Sequence, residues 1–344
     1  MSILVVGGAG YIGSQLTEEL VYGGDKVKVL DRGYFGFESI KHLKEDIELV
    51  SADMRNVPSS LFDGVRVVVN VGGLSNDPTA EYSPVANHEM NVTASYELAR
   101  AAKDAGVKKY VLASSCSIYD RGLVDESADV LLEEGAEVNP QAAYGKSKLD
   151  AESAIFPLQS KEFKVVALRK GTVFGVSSRM RWDLVVNTMV KAGFLKGALQ
   201  LNYNGQMWRP MVHIQDAVHA YYMAALSDMD GIYNVASFNI RVSEIAVIVA
   251  NELQERGYPC KIESNDLAEG IRSYRVSSEK IRSLGWKSKC TLREAVNDII
   301  EYIVTMNNQD LEWDNPVNYN IKWMKTIDAC ALALGIDRKS YECI

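Results

Sequence analysis

The stretch Ile3-Leu4-Val5-Val6-Gly7-Gly8-Ala9-Gly10-Tyr11-Ile12-Gly13-Ser14 restricts the possible fold more than any other part of the chain. A short, β-branched apolar run is followed by glycines at 7, 10 and 13, then by helical spacing that ends near Gly23. The run reads as a strand buried on both faces. After such a strand, Gly7 turns the chain tightly, Gly10 admits a ligand against bare backbone, and Gly13 lets the next helix pack closely on the sheet. The helix then aims unsatisfied N–H groups and the positive end of its dipole at an anion, as a diphosphate requires.

The first half continues this rhythm. Residues 26–30, 47–51, 65–71, 110–113 and 164–168 read as strands, and 11–23, 94–105 and 143–156 as helices. Strands apolar throughout, alternating with helices, describe an α/β fold with a Rossmann-type, doubly wound parallel sheet. After about residue 175 the rhythm breaks into a smaller α+β part. Helices are expected at 179–193, 216–226, 243–256, 278–284 and 291–305, with short strands at 199–203, 211–214 and 232–235. Residues 307–319 read as a loop and 321–334 as a final amphipathic helix.

Composition narrows the function. A net charge of −8 on 344 residues argues against nucleic acid or an acidic membrane as partner, because phosphate binding needs clustered Lys and Arg. Five cysteines without a C-x-x-C pair and four histidines without ligand spacing argue against disulfides and metal, and fit a reducing cytoplasm. No basic segment precedes the first apolar run, and no run approaches the roughly 18 apolar residues of a membrane span.

Asp31 ends the second strand, 18 residues after Gly13. A carboxylate there accepts both hydroxyls of an adenosine ribose and repels a 2′-phosphate, so NAD is favoured over NADP, with Arg32 weakening that preference slightly. Tyr144 and Lys148, four apart in YGKSK, share a helix face. A free phenol titrates near about pH 10, and a nearby ammonium and a positive nicotinamide ring both favour phenolate, making Tyr144 a candidate base. Ser115 stands just past the carboxyl end of a strand, where ligands bind in open α/β sheets; Ser114 is the alternative.

In sequence, GGAGYIG, Asp31, SADMRN, VVNVGGLSNDP, NVTAS, VLASSCSIYD, YGKSK, RPMVHIQD and YRVSSEKIRSLGW follow one another. In this order the motifs resemble the extended short-chain dehydrogenase/reductases, the nucleotide-sugar epimerase/dehydratase group, from residue 1 to about 300. The resemblance implies an NAD-binding Rossmann domain of residues 1–175 plus about 211–237. A nucleotide-sugar-binding domain would comprise about 176–210 and 238–310, with 311–344 a C-terminal extension carrying one helix. It implies Tyr144, Lys148 and Ser115 as catalytic. Gly7, Gly10, Tyr11, Ile12, Gly13, Asp31, Arg32, Asp53, Met54, Val71, Gly72, Gly73 and Asn91 would surround NAD together with Tyr144 and Lys148. Asp53 would contact adenine, Lys148 would hold the nicotinamide ribose, and Asn91 would support Lys148 through water. The implied substrate is a nucleotide-diphosphate sugar, with Ser75, Ser117, Thr172, Arg181, Asn187, Arg209 and Arg272 as candidate contacts and Arg179 nearby. A homodimer is also implied.

The implied reaction is inversion at C4 through a transient 4-keto sugar, with Tyr144 as base. Alternatives are a 4,6-dehydratase, a 4-dehydrogenase or reductase, or a non-catalytic NAD-binding sensor. The dehydratases carry Asp-Glu after the catalytic Ser or Thr, where this chain has Cys116 and Ser117, so dehydration is disfavoured. Asn70-Val71-Gly72-Gly73 replaces the usual His-Leu-Ala-Ala, Asp120 a Gly, and Thr172 a diphosphate-binding Asn. His213, inside an apolar strand, reads as a packed structural histidine.

Overall fold

In the computed structural model, which describes residues 2–120, 130–265, 273–306 and 313–336, the opening strand is the hub. It is β1 (Ser2–Val6), flanked by β2 (Lys26–Asp31) and β4 (Val65–Asn70). β3 (Ile47–Ser51) pairs outside β2. On the other side come β5 (Lys109–Ser115), then strands Lys164–Lys170 and Gly231–Val235, completing a seven-stranded sheet with every pairing parallel. The chain runs outward from β1 to β3, then returns to β4. The strand order therefore reverses between β1 and β4, which opens a crevice at their carboxyl ends.

Alternation within each strand divides the core. From β4, Val67 and Val69 face a layer containing Leu16 and Leu20 of α1 (Tyr11–Tyr22) and Ala217 and Tyr221 of helix Ile214–Leu226. Val65 and Val68 face Leu98 and Ala102 of helix Ala94–Asp104 and Ala151 and Ile155 of helix Ala143–Ile155. The main apolar stripe of Ala94–Asp104 is thus used within the chain.

A second core gathers Trp182 with Val190, Ile245, Val249, Ile299 and Ile300 from helices Val185–Lys196, Val242–Glu255 and Leu292–Thr305. A small sheet of Thr172–Phe174, Trp208–His213 and Phe238–Arg241 lies beside it.

The helix expected from 179 starts only at Val185. Before it, the Trp182 amide donates to the Asn318 carbonyl at 3.0 Å, and Arg181 grips Asp183 two residues on at 2.9 and 3.0 Å. Those long-range and local bonds replace a helical turn. The strand expected at 199–203 is Ala198–Leu201, followed by Tyr203 and Asn204 at positive φ. Residues 77–93, to which no element was assigned, are helical, with a π turn at Glu89–Thr93. Among the described residues no helix is long and apolar enough to cross a membrane.

Candidate active site

The glycine turn is held by backbone contact. Gly7 has φ 76°, and a Cβ there would lie 2.6 Å from the Gly72 Cα. A Cβ on Gly13 would lie 1.9 Å from the Gly7 carbonyl oxygen. Gly13 therefore packs on the turn itself rather than on the sheet. Gly10 is the N-cap of α1, with no side-chain cap and no acid in the first turn, so the helix N-terminus is open toward the cleft. Gly13→Ala should cost about 1–3 kcal/mol, the usual range for overpacking, and displace these amides; thermal denaturation and NAD titration read the two effects.

The turn forms one wall of a cavity of about 370 Å³ at the crevice between β1 and β4. Gly7, Gly10, Tyr11, Ile12, Gly13, Asp31, Arg32, Met54, Val71, Gly72 and Gly73 line it, with Ser115, Tyr144 and Lys148. Asp31 accepts the Ala9 amide at 3.0 Å and the Gly33 amide at 2.8 Å, while burial pushes its carboxyl up. Asp53 is not among the lining residues. It is gripped by Arg32 at 3.1 Å and by Arg55 at 2.9 and 2.7 Å. Burial would raise its carboxyl, but the bonds from Arg55 outweigh that and hold it low. Asn91, on the π turn, lies behind the wall. Its amide nitrogen donates to the Leu74 carbonyl, Asn87 and Ser147, and its buried Oδ1 accepts no bond. A Cβ on Gly73 would lie 2.3 Å from that Oδ1, so glycine at 73 is required by contact as well as by its φ of 116°.

At the end of β5 the Ser115 hydroxyl donates to Ser117 at 3.0 Å, and Ser115 lies near enough to Tyr144 to act on its phenol. Ser114 instead bonds Glu152, beneath the site. Tyr144 and Lys148 come from the first turns of helix Ala143–Ile155, with the Lys148 Nζ 5.7 Å from the Tyr144 ring centre. Gly145 between them admits the Ser117 carbonyl, 2.7 Å from where its Cβ would be.

Burial, then the Asp77 carboxylate, push the Tyr144 phenol up to about 12, against the lowering effects of Arg181 and Ser115. Burial, then the Lys170 ammonium, bring Lys148 down to about 7. The protein without the nicotinamide ring thus favours the neutral phenol. The lowered Lys148 has a stability consequence. Below about pH 7 it is charged in both folded and unfolded chain and the burial cost is complete. Between that pH and its unfolded value near about 10.4 the unfolded chain binds the extra proton, so stability rises with pH. In cofactor-free protein the advantage of Lys148→Met should therefore shrink by about 1.4 kcal/mol per pH unit across that window, measured by urea denaturation.

Of the candidate substrate contacts, Ser75, Ser117, Thr172 and Arg181 line the cavity. Asn187 does not; it is fully buried and brackets the chain, accepting from the Gly175 amide at 3.1 Å and donating to the Arg181 carbonyl at 2.9 Å. Arg209 is also absent from the lining, and its guanidinium donates to the Trp208 carbonyl at 3.0 Å. Arg272 lies outside the described residues. His213 caps helix Ile214–Leu226, accepting the Gln215 amide at 3.4 Å. Asp77 and Tyr274, which lie in the VVNVGGLSNDP and YRVSSEKIRSLGW motifs without an expected role, also line the cavity, as do Lys170 and Asn320 outside those motifs.

The NAD dependent epimerase/dehydratase family model matches residues 3–236. The chain belongs to that family. It is 30% identical over 247 residues to the UDP-glucose 4-epimerase of Lactobacillus helveticus, covering 65% of this chain and 72% of that one. UDP-glucuronic acid decarboxylase 1 of Danio rerio is 23% identical over 305 residues, covering 87% and 71%. The UDP-glucose 4-epimerase of Thermus thermophilus, solved in complex with NAD, superposes with a TM-score of 0.74 at 25% identity, covering 87% and 99%. Family members of different reaction type lie at similar distance, so the residues of the site must distinguish the reactions.

Proposed function

We propose that this family member binds NAD in the cavity and inverts C4 of a nucleotide-diphosphate sugar. The observation that carries this reading is the meeting of Ser115, Tyr144 and Lys148 in one cavity with the glycine turn and Asp31. The residues fit the cofactor. The uncapped N-terminus of α1 suits a diphosphate, Asp31 suits an adenosine ribose, and glycines at 7, 13 and 73 let the turn and the wall behind it pack closely enough to form the cradle. Bound NAD would accept the C4 hydride and give it back on the opposite face of the 4-keto sugar, and its positive ring would lower the phenol held at about 12 in the protein alone.

Ser115 then orients the C4 hydroxyl and Tyr144 accepts its proton. Tyr144 returns the proton once the 4-keto sugar has turned over. Lys148 is placed to hold the nicotinamide ribose and steady the phenolate. We place the division into cofactor and sugar-nucleotide domains, a homodimer and a cytoplasmic location within the same reading.

Cys116 supports inversion over 4,6-dehydration. Its thiol donates to the Arg169 carbonyl at 3.0 Å in the core, and burial raises it far above the usual thiol range. It offers the cavity no acid. One observation favours dehydration as a second reading: Asp77 lines the cavity close enough to raise the Tyr144 phenol.

Proton NMR of the protein with UDP-, dTDP-, GDP- and CDP-sugars decides between them. Inverted coupling at the C4 proton establishes epimerisation and identifies the sugar. A 4-keto-6-deoxy product establishes dehydration, and no change with any sugar after adding NAD removes both readings.

A further inference from the structure

Among the described residues Arg179 forms no salt bridge. It is 7% exposed and lines the cavity with Gly10, Tyr11, Gly13 and Asp31. Its guanidinium lies 3.7 Å from the centre of the Phe35 ring. One terminal nitrogen donates to two neutral acceptors, the Val317 carbonyl and the Asn320 Oδ1, both at 2.9 Å. Its Nε is buried with no hydrogen-bond partner.

The carboxylates near it are engaged elsewhere. Asp183 accepts the Arg181 fork at 2.9 and 3.0 Å, Asn76 at 3.2 Å and the Asn320 amide at 3.2 Å. Both Asp31 oxygens accept backbone amides. Burial, followed by the neighbouring Arg181, lowers the Arg179 guanidinium to about 9, as expected of a poorly neutralised cation. The charges of Asp31 and Tyr11 both act on it, and these residues stand on either side of the glycine turn. Arg179 thus lines the same cavity as the N-terminus of α1, and the residues just before it pack on that helix, Ser177 donating to the Tyr11 carbonyl at 2.7 Å.

The acceptors that hold Arg179 come from residues 313–336, beyond the family match, which ends at 236. Helix Asn320–Ala333 begins at this point. Asn320 also donates to Ser75 at 2.9 Å, and Ser75 accepts Arg181 at 3.0 Å. Trp323 donates to the Tyr34 carbonyl, beside Phe35. The segment thus ties together the loop after β2, the Ser75 loop and the Arg179–Asp183 turn.

We propose that Arg179 binds the dinucleotide diphosphate together with the N-terminus of α1, and that Asn320 is the positioning residue that holds Arg179 there. An anion in a cavity that an open helix N-terminus and a guanidinium both line gains from each, and the fork suits phosphate oxygens. The inference rests on the cavity being the NAD site, but not on the reaction carried out there.

The test is calorimetric titration of the full chain, stripped of nucleotide, with NAD, ADP-ribose and adenosine. Arg179→Gln should weaken NAD and ADP-ribose at least ten-fold and leave adenosine, which has no diphosphate, within two-fold. Asn320→Ala should give a smaller loss of the same pattern, and Arg179→Lys should fall between Gln and wild type. The ligand-free melting temperature identifies a variant that fails to fold; if Arg179→Gln fails, Asn320→Ala carries the test. Equal affinity for NAD in wild type and Arg179→Gln overturns the inference, as does an equal loss for adenosine. An unchanged Asn320→Ala overturns the role of the C-terminal segment. Wild-type protein that binds no NAD overturns the cofactor reading itself.

Discussion

Tyr144→Phe should lower turnover by about a hundred- to ten-thousand-fold, the usual contribution of a positioned acid–base group, while leaving bound NAD near wild type. The substitution removes one oxygen from a side chain that is only 6% exposed. The ring keeps its packing, and Ser115 keeps its bonds with Ser117. Loss of rate without loss of cofactor therefore isolates the proton transfer. Turnover within ten-fold of wild type would move the base elsewhere in the cavity, with Asp77 the first candidate. Single-turnover kinetics on the sugar found by NMR, with NAD released by denaturation and counted, reads both quantities.

Glu152→Ala should cost about 3–5 kcal/mol, the largest stability effect expected of a single side chain here. Glu152 and Arg169 are 3% and 4% exposed and paired at 3.0 and 2.6 Å. Arg169 also donates to the Tyr119 hydroxyl at 2.8 Å and the Glu134 carbonyl at 3.0 Å, and Ser114 bonds the carboxylate. Removing the carboxylate leaves a guanidinium buried in the core with only neutral acceptors. Arg169→Met should cost less than the acid's removal if Glu152 can then take up a proton, because a neutral carboxyl is cheaper to bury than an unpaired cation. The pair also couples helix to strand at the site: Glu152 lies one turn after Lys148, and Ser114 immediately precedes Ser115. Urea denaturation gives the stability change. A loss below about 1 kcal/mol would mean that water reaches Arg169 and the pair is not sealed.

How much was legible depended on the range of the interactions involved. The strands of the first half were readable because each is buried on both faces and so is apolar throughout. The glycine turn was readable because φ at Gly7 and the contacts at Gly13 are satisfied by one residue type alone. Tyr144 and Lys148 were readable as neighbours because helical spacing fixes them. The turn at 179–184 was not: its apolar periodicity looked helical, and the distant Asn318 carbonyl together with the Arg181–Asp183 pair takes the place of the first helical turn. Residues 77–93 were missed because Pro78 and Pro84 look like breakers, yet each sits in a first helical turn, where proline is tolerated.

The sequence by itself determined the sheet, the glycine turn and the family, and singled out Ser115, Tyr144 and Lys148 as candidates, since each depends on residue type at fixed spacing. Tertiary structure alone decided which polar groups face the cavity. Asn187 became a backbone bracket and Asp53 a partner of two arginines, while Asp77, Lys170 and Asn320 entered the lining. A side chain's direction at the end of a strand or in a loop is set by what packs against it from far along the chain. Asn320 meets Ser75 across 245 residues, and no local pattern can encode that meeting.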